Sequence, residues 1–156
     1  MNRDASALTR ELQRAACRGV TLLEVLIALI VLSIGLLGLA GLQTVSLQFS
    51  TSALYRTQAT ALAYGLADRM RSARDASLAG AYNAALLGVP PACDPNAPGG
   101  GTPAQDLAAW RNALACELPL GNGQVVRNGN RFAITVQWDD SHGTEAPIQF
   151  VFTTAL

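Results

Sequence analysis

Apolar residues run from Val20 to Leu42 with one ionisable side chain among them, Glu24. Coiled as a helix at about 1.5 Å per residue, such a run crosses a hydrocarbon core of roughly 30 Å. From Gln43 the pattern changes to a stripe: Tyr55, Ala59, Leu62, Leu66, Met70 and Ala73 recur at three- and four-residue steps. That is the period of an amphipathic helix. No proline interrupts it before Ser77. The pattern therefore predicts one helix from Val20 to Ser77, about 87 Å long.

Leu78–Pro103 is a connector whose Gly and Pro residues exclude long regular elements. Thr102, Pro103 and Gln105 then read as N-cap, first helical residue and N3 partner of a short helix. Leu107, Trp110 and Leu114 share one face of it, and it ends near Cys116, before Leu118–Pro119. From Gly121 the period becomes two. Gln124–Arg127 leads into the hairpin dipeptide Asn128–Gly129, followed by Phe132, Ile134, Val136 and Trp138 alternating with smaller or polar residues. A turn-rich stretch from Asp139 to Pro147 separates these from Ile148, Phe150 and Phe152. An antiparallel meander with one aromatic-rich face needs a cover, and the Leu62–Leu66–Met70 stripe is the nearest long apolar surface. The fold class is α+β: a long N-terminal helix whose first half has membrane length, packed on a small antiparallel sheet.

Charge changes the picture at the N-terminus only. The chain has 156 residues, 11 Arg and no Lys, 11 acids and a formal net charge of zero. Residues 1–19 hold four Arg and two acids, which leaves seven Arg and nine acids, net −2, for the rest. That balance gives no basic footprint for nucleic acid. The arginines ahead of the apolar run place the N-terminus in the cytoplasm and the C-terminal part across the membrane.

Arg18–Gly19–Val20–Thr21–Leu22–Leu23–Glu24, with the apolar helix after it, resembles the type IV pilin signature. Ser33–Ile34–Gly35–Leu36–Leu37–Gly38–Leu39–Ala40–Gly41–Leu42–Gln43 is similar to PilV-type minor pilins. The resemblance covers roughly Arg18 to Arg74, with a looser echo around Trp110, Leu118–Pro119 and Trp138–Asp139. It departs at Val20, where the family usually has Phe. It implies a type IV pilin-like fold and cleavage of the Gly19–Val20 bond by a prepilin peptidase, which then methylates the new amine of Val20. It also implies partners: other major and minor pilins and an inner-membrane assembly platform. Cleavage there differs from an ordinary secretory signal, which is cut after its apolar region. A lipoprotein reading of Ala15–Ala16–Cys17 fails because no apolar segment precedes the cysteine.

On this reading residues 1–19 are a cleaved leader and 20–42 a transmembrane and assembly helix. Residues 43–77 continue that helix in amphipathic form, and 78–156 form a periplasmic globular part. The protein would be single-pass in the bacterial inner membrane, then part of a pilus. A carboxylate inside an apolar run costs about 2.5–3.5 kcal/mol at mid-bilayer, so Glu24 calls for a partner. Two roles stay open. Thr21 and Glu24 have capping-box spacing, or the carboxylate balances the amine freed at Val20, in the same chain or a neighbour, as the resemblance implies. Gly35, Gly38 and Gly41 mark either a close-packing face or a place where the helix bends or melts.

Loss of the leader removes Cys17 and leaves Cys93 and Cys116. An even pair closing a Pro/Gly-rich segment in an exported domain is expected to form a disulfide. No catalytic constellation, metal site or cofactor motif is found. His142 lies in Asp139–Asp140–Ser141–His142–Gly143, which a polar turn explains, and Gly99–Gly101 lacks the Lys of a phosphate loop. The resemblance implies a minor pilin as structural or assembly-initiating subunit. Its alternatives are a minor pseudopilin of a type II secretion system, and a pilus-tip adhesin or DNA-binding module.

Overall fold

A computed structural model describes residues 21–141 and 143–156. Its elements are α1 (Leu22–Ser72), α2 (Arg74–Leu78), α3 (Pro103–Glu117), β1 (Asn122–Asn128), β2 (Arg131–Trp138) and β3 (Ile148–Ala155). The chain divides into two units, residues up to Ser46 and Leu47–Leu156.

In the first unit every described residue is solvent-exposed helix or helix cap. The best 18-residue window of α1 has a mean hydropathy of 2.8, long and apolar enough to cross a membrane. Its hydroxyls turn inward on their own backbone: Ser33 Oγ donates to Leu29 O at 2.7 Å and Thr44 Oγ1 to Gly41 O at 2.8 Å. Self-satisfied hydroxyls suit a helix surrounded by hydrocarbon. A methyl group added at Gly35, Gly38 or Gly41 would meet nothing within 4 Å.

The second unit holds the whole core. The α1 stripe buries Ala59, Ala63, Leu66, Ala67 and Met70 in one cluster with Trp110 and Leu114 of α3 and with Phe132, Ile134, Val136 and Trp138 of β2. The sheet has the order β1-β2-β3 and is antiparallel throughout. A long N-terminal apolar helix packed on a small three-stranded antiparallel sheet is an α+β, type IV pilin-like arrangement. The alternation read along β2 places Phe132, Ile134, Val136 and Trp138 inside. The cap of α3 is a reciprocal box: Gln105 N donates to Thr102 Oγ1 at 3.3 Å and Thr102 N to Gln105 Oε1 at 3.1 Å.

Three local features differ from the pattern-based expectation. The long helix breaks at Ala73 instead of continuing to Ser77. Ser77 Oγ donates to Met70 O at 2.9 Å, and residues seven apart in a straight helix are separated by about 10 Å along the axis. This buried bond therefore requires the break. Arg71 and Asp75 have the i,i+4 spacing of a helical ion pair, yet they do not pair, because the helix breaks between them. Arg71 bonds Asp68 at 2.6 Å and Thr154 Oγ1 at 3.0 Å. The β1–β2 turn is centred one residue later than Asn128–Gly129: Asn128 pairs with Arg131, so Gly129 and Asn130 form the loop. Gly129 has φ +63°, which the first central position of a type II′ turn demands.

Candidate functional site

The N-terminal end of α1 is the first candidate site. Thr21 Oγ1 accepts from Glu24 N at 3.3 Å, while Thr21 O accepts from Glu24 N at 3.0 Å and Val25 N at 3.2 Å. Thr21 thus satisfies the Glu24 amide, one that a helix start leaves without an i−4 partner, and its carbonyl begins the helical ladder at Val25. The Glu24 carboxylate, in the first turn, has no hydrogen bond or ion pair among the described residues. The box is half-formed, and its carboxylate remains open to an amine. Gly19 and Val20, the expected cleavage and methylation positions, lie outside the described residues.

Cys93 and Cys116 form a disulfide with Cα atoms 4.7 Å apart. Asn112, one turn before Cys116 on α3, holds the other side of the crosslink: its Oδ1 accepts from Asp94 N at 2.8 Å and its Nδ2 donates to Asp94 O at 2.9 Å. The connector is thereby fastened to α3 by one covalent and two hydrogen bonds.

The 139–141 turn is polar and self-satisfied. Ser141 N and Oγ both donate to Asp139 Oδ1, at 2.8 and 2.9 Å, an Asx-type turn. Ser52 Oγ on α1 donates to Asp140 Oδ2 at 2.5 Å. His142 lies outside the described residues. No group of three or more His, Cys, Asp or Glu is placed to hold a metal among the described residues.

One cluster has no signature in the sequence pattern. Tyr82 OH donates to Asp106 Oδ2 at 2.6 Å, and Arg69 Nη1 lies 3.6 Å from Asp106 Oδ1. Burial, then the hydrogen bond to Asp106, push the Tyr82 phenol up to about 12. The three residues come from α1, the connector and α3, and their sequence separations follow no period. The one available hint is an acidic residue in the first turn of α3.

Residues 14–40 match the family model of the prokaryotic N-terminal methylation motif. The N-terminal segment is type IV pilin-like. No curated protein and no solved structure matches the chain. The methylation motif marks precursors of the pilin and pseudopilin kind, which are structural subunits. It implies processing by a prepilin peptidase and assembly with other pilins at a membrane. With α1 as the apolar helix, it also indicates anchoring in the inner membrane. Residues 22–40 of the matched segment lie in α1.

Proposed function

We propose that this protein is a PilV-type minor pilin, a structural or assembly-initiating subunit of a type IV pilus. The peptidase cuts between Gly19 and Val20, methylates Val20 and discards residues 1–19. The helix of residues 20–42 then holds the chain in the inner membrane, with residues 78–156 in the periplasm, until assembly transfers that helix into the filament. The observation that carries this reading is the conjunction at the helix start: a methylation motif over residues 14–40 and, in the first turn of an apolar helix, a Glu24 carboxylate with no partner among the described residues. In a filament a carboxylate there balances the amine of Val20, and the two charges neutralise one another away from water. No enzymatic role is proposed; the catalysis acts on this chain.

The test is recovery of the chain from sheared filaments, wild type against Glu24→Val. The wild type is expected in the filament fraction and the variant in the membrane fraction. Equal recovery of both from filaments overturns the assigned role of Glu24. Recovery with a secretion-system pseudopilus instead of a pilus overturns the choice of machine.

A further inference from the structure

The two edges of the sheet are finished differently. The outer edge of β1 is occupied: Ala84 N donates to Val125 O at 3.0 Å and Val125 N to Ala84 O at 2.8 Å. The Asn122 side chain clamps the same connector at Leu87, with Nδ2 to Leu87 O at 2.7 Å and Leu87 N to Oδ1 at 3.4 Å. Among the described residues the outer edge of β3 has no such cover. Leu156 N donates to Asn130 O, which sets the phase of the ladder. Hydrogen-bonded pairs recur at every second position, so Phe150, Phe152 and Thr154 bond inward to β2. Gln149, Val151 and Thr153 turn their N–H and C=O groups outward, and those groups have no partner among the described residues.

Natural edges are guarded by charge, proline, a bulge or a covering segment. Ile148–Ala155 contains no charged residue, no proline and no glycine, and it pairs with β2 without a bulge. Its core-facing side chains are also incompletely covered. Phe132, Ile134 and Val136 on the central strand are 0% exposed, whereas Ile148, Phe150 and Phe152 are only partly buried at the margin of the same core. Beside that margin the Tyr64 ring rests on Phe152 with centroids 4.4 Å apart. Tyr64 also closes a shallow groove of about 420 Å³ along α1.

We propose that the edge of β3 receives an extended segment of a different subunit, which adds as a fourth strand. This inference rests on the pilus reading above. A row of donors and acceptors repeating every second residue is matched by extended backbone and not by a helix, a sugar or a lipid. The entering strand carries apolar side chains at alternate positions, which finish the burial of Phe150 and Phe152 beside Tyr64, and it has no charge on the opposite side, where it lies along Val151. A second copy pairing antiparallel through its own β3 does not fit. Antiparallel pairing of β3 with itself imposes a twofold axis perpendicular to the sheet. That operation points residues 47–72 of α1, which pack on the sheet, in opposite directions in the two copies, whereas subunits of one filament enter it in one direction.

The test uses the full chain in cells that assemble the filament. A photoreactive benzoylphenylalanine replaces Gln149, Val151 or Thr153 in turn, and Val126 on the guarded side as control. The expected result is cross-linking from the three β3 positions to one extended segment of another subunit. The linked residue should advance by two for each step of two in β3, with no product from Val126. Absence of cross-links, or links to β3 of a second copy, overturns the proposal. Val151→Pro removes an outward N–H and leaves the β2 ladder intact. It is expected to lower filament incorporation about tenfold, the loss of roughly one hydrogen bond. Should that variant fail to fold, Val151→Lys keeps the donor, installs a guarding charge and carries the same expectation. Wild-type incorporation of a folded variant overturns strand addition, whereas absence of the wild-type chain from filaments overturns the pilus reading on which it rests.

Discussion

Trp110 Nε1 donates to the backbone O of Leu62 at 3.2 Å, tying the short helix α3 to the middle of α1. The same indole roofs the start of β1: a methyl group added at Gly123 would lie 2.4 Å from Trp110 Cη2 and 2.7 Å from Leu114 Cδ1. Helix and strand touch there because Gly123 has no side chain. Gly123→Ala is expected to destabilise the fold by about 1–3 kcal/mol through overpacking. Trp110→Phe loses the hydrogen bond and leaves a cavity where the larger indole packed, about 2–3 kcal/mol together. Urea denaturation of the two variants measures both; equal stability of Gly123→Ala and wild type would mean that α3 does not sit this close.

The Cys93–Cys116 crosslink spans 23 positions. Closing a loop of that length stabilises by about 3 kcal/mol through the entropy of the unfolded chain. Cys93→Ser with Cys116→Ser is expected to lower stability by about that amount, with most of the loss also seen on reduction of the wild type. A melt unchanged by reductant would contradict it.

Tyr82 sets an alkaline limit. Its folded value of about 12 lies above the ordinary value of 10.0, through burial first and the Asp106 hydrogen bond second. A raised value means the fold favours the protonated phenol. Its contribution is whole below pH 10.0, falls as pH rises through the interval up to about 12 and is then lost. Stability of Tyr82→Phe should be lower than wild type at neutral pH by about 1–2 kcal/mol, since Asp106 loses a donor. The gap should narrow across the alkaline interval. A gap constant through that interval would refute the assignment.

Much of this architecture is legible in the residue pattern, because it depends on local chemistry. Thr102, Pro103 and Gln105 carry a helix start in four residues, and the alternation of Phe132 to Trp138 fixes which face is buried. The long helix announces itself by an apolar run with one acid. What escapes the pattern depends on distant partners. The break at Ala73 accompanies a Ser77–Met70 bond, one of the two partners of Arg71 is Thr154 on β3, and the guard of β1 is Ala84 in the connector. At the candidate site, motif and acid are readable because they lie in one continuous stretch of sequence. The Tyr82–Asp106–Arg69 cluster is not, since three elements must meet before it exists.

A substitution at Glu24 tests capping against assembly. Thr21 supplies the N-cap bond by itself, so Glu24→Gln should leave membrane insertion and the fold of residues 47–156 intact, with stability changed by less than about 0.5 kcal/mol. It should reduce filament incorporation, because a neutral amide does not balance an amine in an apolar surround. Immunoblots of sheared filaments against membranes read the split; parallel loss from both fractions would assign Glu24 to folding or insertion instead.

The most direct measurement is the intact mass of the mature chain, with sequencing of its first residues, purified from cells with and without active prepilin peptidase. The account predicts a chain that begins at Val20 and carries one added methyl group only when the peptidase is active. A chain that keeps residues 1–19 in the presence of active peptidase, or that begins after Leu42, contradicts it.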